Sequence, residues 1–158
     1  MANRALVVVA PSSGAGKTIV TLGLLRALTE AGIKAVGAKS GPDFIDPAFH
    51  RVASGCPSIN LDAWAMDRST LAARAAERDG DLLVIEGAVG ALDGAGEGAA
   101  GSALDLAAAL NAPVLMVVDA AKTGASAALA PAGLRALRPE VTLLGVVLNR
   151  VARCRALA

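Results

Sequence analysis

Ala5-Leu-Val-Val-Val-Ala-Pro-Ser-Ser-Gly-Ala-Gly-Lys-Thr18 is an apolar run that opens into a glycine loop and closes on a Lys-Thr pair. It reads as a buried strand, a phosphate-binding loop and the first residues of a helix. Successive backbone N–H groups of such a loop curl around phosphate oxygens, and the helix N-terminus adds its partial positive charge. Lys17 reaches the β- and γ-phosphates and Thr18 is placed to ligate Mg²⁺. The strict pattern wants glycine where Pro11 stands, so the alternative is a plain glycine turn. Gly14, Gly16, Lys17 and Thr18 keep the pattern in the required strand-to-helix context, and the residues expected to hold nucleotide are Ser13, Gly14, Ala15, Gly16, Lys17 and Thr18.

Outward from this loop the chain alternates. Apolar runs at 82–85, 114–118 and 143–148 repeat the character of 5–9, and 34–39 is a weaker fifth strand. None alternates with polar residues, as expected where both faces of a sheet are covered. Helical spacing fills 18–31, 70–78, 103–110 and 124–137. The expected fold is α/β, a P-loop NTPase-like, mostly parallel sheet with helices on both faces, in one domain over 1–158. Ligands then gather at the carboxyl ends of the strands. Segments 40–68 and 87–101 resist the pattern and read as loops after strands. The second is Gly- and Ala-rich, and a low-complexity linker is its alternative reading.

Composition narrows the function classes. At 54% hydrophobic and 18% charged residues, the chain is no disordered tail. A net charge of +1 offers no electrostatic footprint for nucleic acid or an anionic membrane. With one Trp, two Phe and no Tyr, stacking platforms for bases are scarce. Mean hydropathy is +0.55, yet the charge-free stretch 106–118 contains Asn111 and Pro113 and is too short to span a bilayer. Two cysteines without Cys-x-x-Cys spacing and a single histidine support neither a disulfide framework nor a zinc site, so a reducing cytoplasm is expected.

Three strand ends carry acids, among them Asp119, which closes 114–118. After the second strand comes Lys39-Ser-Gly-Pro-Asp-Phe-Ile-Asp-Pro-Ala-Phe-His50. Gly41-Pro42 sets a turn, and Pro47 is expected to keep Asp46 extended, so that Asp43 and Asp46 sit on a stiff loop rather than a helix. From spacing alone they suit Mg²⁺ coordination, orientation of an acyl phosphate, or a capped turn with solvated aspartates. Glu86 closes 82–85 where a P-loop enzyme needs a carboxylate for Mg²⁺ or water, although an acid there also caps helices. Asp93 follows on the substrate side. Asn149 closes 143–148 and is either an adenine contact through its carboxamide or a turn residue. Trp64 and Met66 read as packing on the long loop, Cys56 as an inert small hydrophobe, and His50 as a site helper or a hydrogen-bonded loop histidine.

Taken together, Ala10-Pro-Ser-Ser-Gly-Ala-Gly-Lys-Thr18, Gly41-Pro-Asp-Phe-Ile-Asp-Pro47, Asn60-Leu-Asp-Ala-Trp-Ala-Met66, Glu86-Gly with Asp93-Gly, Gly101-Ser, and Val146-Val-Leu-Asn-Arg-Val151 resemble the cobyrinic and hydrogenobyrinic acid a,c-diamide synthases. The resemblance implies ATP- and Mg²⁺-dependent amidation of the a and c carboxylates of a corrin in cobalamin biosynthesis, through an acyl phosphate. It implies Thr18, Asp46 and Glu86 as metal ligands. It also implies Asp43 and Asp93 ordering the substrate or acyl phosphate, and Lys39 pairing with a substrate carboxylate. Switch ATPases of membranes and DNA carry a second lysine where this chain has Ser12, which disfavours that group. Full-length members of the resembling family end in a glutaminase domain with a Cys, His and Glu triad. Here the sequence stops soon after Arg150, with the departing end Ala152-Arg-Cys-Arg-Ala-Leu-Ala158, so 1–158 is expected to be a truncated P-loop synthetase domain without its glutaminase. Ammonia would come from a separate glutaminase domain or chain, and a homodimer stays open. The alternatives are a dethiobiotin-synthetase-like enzyme and a non-catalytic nucleotide-binding module.

Overall fold

The computed structural model describes residues 4–95 and 100–151. The rest of the glycine-rich loop and the terminal residues 152–158 lie outside the described residues. Six strands, β1 (Arg4–Val9), β2 (Ala35–Ser40), β3 (Ile59–Leu61), β4 (Leu82–Glu86), β5 (Val114–Asp119) and β6 (Leu143–Asn149), form one sheet. Every pairing is parallel, in the order β3-β2-β4-β1-β5-β6. The helices α1 (Lys17–Glu30), α2 (Asp46–Ser54), α3 (Arg68–Ala76), α4 (Ala103–Leu110) and α5 (Leu129–Leu137) connect them.

The apolar run of β1 has a direct physical cause. Val7 and Val9 belong to the core under one face of the sheet, whereas Val8 and Ala10 belong to the core under the other. A strand buried on both sides has no solvent-facing position for a polar residue. Burying each of these valines contributes about 1.5–3 kcal/mol. Leu24, Leu25 and Leu28 of α1 fill one layer, and Leu71 of α3, Leu104 and Leu106 of α4 and Leu134 of α5 fill the other. Helices thus cover both faces.

The structure corrects the sequence reading in three places. Asp46 is not extended before Pro47; it opens α2, with the proline in the first turn. Pro47 lacks only an N–H that would be unpaired there, and its fixed φ suits a helix start. The segment 40–68 therefore holds a helix and the three-residue strand β3 rather than one long loop. Segment 124–137 divides into a 3-10 turn, Ala125–Ala128, and α5, where Pro131 is again within the first turn. Finally, among the described residues β6 is covered on one face only: Leu144 and Leu148 are 63% and 53% exposed.

Strand order places the site. β1 lies between β4 and β5, so chain connections diverge to opposite sides of it, and the crevice opens at the carboxyl ends of these strands. The glycine loop leaves β1 there, Glu86, Asp119 and Asn149 end their strands at the same edge, and Lys39 stands one residue before the end of β2. Ser102 fixes the entry to α4 through a capping box: its hydroxyl accepts from Asp105 N while the Asp105 carboxylate accepts from Ser102 N. No described helix is long and apolar enough to cross a membrane.

Candidate active site

Gly16 caps α1 with φ +100°, and a Cβ built on it would lie 2.1 Å from Asn149 Nδ2. Only glycine meets both conditions. Asn149 presses this close because its Nδ2 donates to Ala15 O at 2.8 Å, while its Oδ1 accepts from Arg150 N. The residue expected to contact adenine is therefore also a brace that ties the end of β6 to the glycine loop. Arg150 in turn pairs with Asp119 at 2.6 Å.

Lys17 Nζ donates to Val89 O, and to Ser12 O at 3.4 Å. Val89 has φ +39°, in the left-handed region that β-branched residues avoid. Such backbone costs of order 1–3 kcal/mol and marks functional turns. The turn is held by Asp93, whose Oδ2 accepts from Gly90 N at 3.0 Å. Burial and the neighbouring Lys39 charge lower the Lys17 pKa, partly offset by Glu86 and Asp93. A desolvated cation beside a glycine loop is ready to take up phosphate charge.

The centre of the site is Glu86, 1% exposed at the end of β4. Strand register puts it beside Lys39 of β2 and Val8 of β1. Its Oε1 accepts from Thr18 Oγ1 at 2.6 Å and from Lys39 Nζ at 3.0 Å, and its Oε2 meets His50 Nε2 at 2.8 Å. Burial pushes the Glu86 carboxyl up, but the His50 and Thr18 hydrogen bonds and the Lys39 charge outweigh it and hold the group at about 2, below its ordinary 4.5. Lys39 also reaches Asp46 at 2.5 Å and Asp43 at 3.8 Å. Burial works against this ammonium, yet the Asp46 hydrogen bond and the Glu86 charge prevail and raise its pKa.

Asp43 divides its carboxylate between two tasks. Oδ1 accepts from Ile45 N and Asp46 N and so caps the turn into α2, while Oδ2 faces Lys39. Burial raises its pKa, but these backbone N–H groups and Lys39 outweigh burial and lower it. The loop is pinned by Asn60 of β3, whose Nδ2 donates to Asp43 O. Thr18, Lys39, Asp43, Asp46 and Glu86 are thus linked side chain to side chain. Lys17 lines the same cleft of about 340 Å³ as Gly14, Thr18, Lys39, Glu86 and Val89. Asp93 lies apart, on the turn beside a second, largely apolar cleft of about 230 Å³ lined by Pro11, Leu104, Met116 and Leu134.

Oxygen donors fit a hard divalent cation. Among the described residues, no group of three or more His, Cys, Asp or Glu stands close enough to hold a metal ion by itself. Mg²⁺ takes one or two carboxylates and completes its shell with phosphates and water. The Lys39 ammonium between Asp46 and Glu86 shows that the site stabilises positive charge there.

Sequence reasoning left His50 between a site helper and a loop histidine; it is on α2, not in a loop, and fully buried against Glu86. Its partner stands 36 residues away, so no local spacing could have paired them. Trp64, expected to pack, is 62% exposed because the Asp62 carboxylate holds the turn at Trp64 N and Ala65 N and leaves the indole outside. Met66 and Cys56 do pack against the core.

Residues 6–156 match the family model described as the CbiA, or CobQ/CobB/MinD/ParA, nucleotide binding domain. The chain belongs to this family. This CbiA-family chain is 49% identical over 155 residues to hydrogenobyrinate a,c-diamide synthase of Mesorhizobium japonicum, covering 96% of itself and 35% of that protein. It is 49% identical over 148 residues to the protein of the same name from Rhizobium meliloti, covering 92% and 34%. The chain therefore spans about a third of the length of the curated relatives it matches. Among solved structures it resembles the signal recognition particle receptor FtsY of Elizabethkingia anophelis, with TM-score 0.63 and 17% identity over 92% of this chain and 50% of that one. A nucleotide-binding protein in complex with ADP from Archaeoglobus fulgidus gives TM-score 0.57 and 14% identity, covering 92% and 66%. These two likenesses concern the CbiA-family fold alone.

Proposed function

We propose that this chain binds ATP with Mg²⁺ and activates a side-chain carboxylate of a corrin, hydrogenobyrinic or cobyrinic acid, for amidation at the a and c positions. The observation that carries the reading is the convergence of Lys39, Asp43 and Asp46 on Glu86 and Thr18, directly beside the glycine loop. Identity to hydrogenobyrinate a,c-diamide synthases supports the substrate class. In the proposed reaction a corrin carboxylate oxygen attacks the γ-phosphorus and ADP leaves. Ammonia then attacks the acyl carbon, phosphate departs with the carbon–oxygen electron pair, and a proton is lost to leave the amide.

The chain's own residues match these demands. Lys17 exchanges Val89 O for phosphate oxygens, with the backbone of Ser13, Gly14, Ala15 and Gly16 around them. Asn149 sits against this loop and takes the adenine contact. Thr18, Asp46 and Glu86 would hold Mg²⁺, which when bound offsets charge on the phosphoryl group. Lys39 then turns to a substrate carboxylate, Asp43 orders the acyl phosphate beside it, and Asp93, on the turn at the adjoining cleft, orders the substrate. Charge placed in advance at a water-poor site lowers the barrier most.

The only histidine is committed to Glu86, which leaves no imidazole in this chain to activate a cysteine for glutamine hydrolysis. In this reading the ammonia reaches the site from outside residues 1–158. The test supplies ATP, Mg²⁺ and hydrogenobyrinic acid with either ammonia or glutamine. Corrin-dependent ADP formation and amide product with ammonia, and none with glutamine, is expected. ATP binding without amide would instead make the chain a nucleotide-binding module, and no ATP binding would overturn the reading.

A further inference from the structure

His50 is fully buried, polar and aimed at the one carboxylate on which the site depends. It reaches Glu86 only because β2 carries Gly37 beneath it. A Cβ at Gly37 would lie 2.6 Å from His50 Cβ and 3.0 Å from its Cγ. An ionised Glu86 only accepts hydrogen bonds, so His50 Nε2 is the donor, and in the neutral ring Nδ1 is then the acceptor. Ser58 Oγ stands 3.2 Å from Nδ1, where its hydroxyl can donate to that tautomer. Ser58, His50 and Glu86 thus form a directed chain ending at Oε2, while Oε1 is left facing Thr18 and Lys39.

We propose that His50 is a positioning residue, which locks the Glu86 carboxylate so that Oε1 points at the metal side of the nucleotide site, with Ser58 fixing its tautomer and Gly37 providing its socket. The inference rests on the reading of Glu86 as the acid that faces Mg²⁺-nucleotide. A carboxylate whose outer oxygen loses its donor in a buried place turns toward other partners, and outer partners of this kind are worth about 10- to 100-fold in metal affinity.

The test uses the full chain and two substitutions of similar size. The His50→Gln amide reaches the Nε2 position and keeps a donor on Glu86; the His50→Asn amide stops near the Nδ1 position and does not. Mn²⁺ binding in the presence of ADP is followed by paramagnetic resonance, and ADP binding in EDTA is followed by calorimetry. His50→Asn is expected to weaken Mn²⁺ by about 10- to 100-fold, with His50→Gln recovering most of the loss and metal-free ADP affinity unchanged in both. Equal Mn²⁺ affinity in His50→Asn and wild type overturns the proposal, as does an equal loss of Mn²⁺ and metal-free ADP binding. Should His50→Asn fail to fold, Ser58→Ala keeps the ring and frees its tautomer. Weaker Mn²⁺ binding is expected of it, and wild-type binding overturns the proposal. Glu86→Gln separates the two levels: if it too leaves Mn²⁺ affinity unchanged, the reading of Glu86 fails. If Glu86→Gln weakens Mn²⁺ while His50→Asn does not, the positioning role alone fails.

Discussion

Replacing Glu86 with glutamine removes the charge on which Thr18, Lys39 and His50 converge, while nearly preserving shape. The cost follows from the carboxyl's shift from 4.5 to about 2, which corresponds to about 3 kcal/mol of preference for the ionised form in the folded state. The sign is that of a depressed acid. Below about 4.5 the unfolded chain takes up a proton that the folded chain still refuses, so this contribution is complete above 4.5 and lost as pH falls towards 2. Glu86→Gln has no such proton to bind. Urea unfolding followed by circular dichroism at pH 7 is therefore expected to show the variant less stable by about 3 kcal/mol. The gap should close progressively between pH 4.5 and the acid limit of folding. A gap that stays constant with pH, or a variant more stable than wild type, would refute the reasoning. A more stable variant would mean that desolvation of the carboxylate outweighs its hydrogen bonds, and a constant gap that the two cancel.

Gly16→Ala forces a side chain into φ +100° and into Asn149 Nδ2 at 2.1 Å; calorimetry should find nucleotide binding lost, and the thermal midpoint should fall. Ser102→Ala removes the hydroxyl half of the α4 capping box, leaving the Asp105 carboxylate on Ser102 N, at a residue 2% exposed, and should lower stability by about 1 kcal/mol in urea titration with no change in ATP affinity. Asp43→Asn keeps an acceptor for the Ile45 and Asp46 N–H groups but loses the charge facing Lys39. Corrin amidation should fall by at least about tenfold while ATP still binds, and unaltered amidation would remove Asp43 from the reaction.

The strand, loop and helix from Ala5 to Thr18 were legible because a doubly buried strand admits no polar residue and a phosphate loop needs glycine at left-handed positions. The same logic exposed β4 and β5, and the acid that ends β4. What remained hidden is non-local or short. α2 hides behind Pro47, a residue that forbids a helix interior but favours a helix start, and the sequence does not say which applies. β3 has three residues, too few for a period. β6 has the same apolar character as β1, yet one of its faces is exposed, since hydrophobicity marks a strand without saying what lies over it. Lys39, Asp46 and Glu86 were placed near phosphate by position at strand ends. That Lys39 sits among the carboxylates emerges only from the β2 and β4 register.

The central claim is that a corrin carboxylate attacks the γ-phosphorus of ATP held by this chain, and oxygen transfer tests it most directly. Hydrogenobyrinic acid labelled with ¹⁸O in its carboxylates is incubated with the chain, ATP, Mg²⁺ and ammonia, and the released phosphate is analysed by mass spectrometry. An acyl phosphate requires one ¹⁸O to pass from the corrin to phosphate for each amide formed. Amide formation with unlabelled phosphate, or phosphate release without amide, would contradict the account.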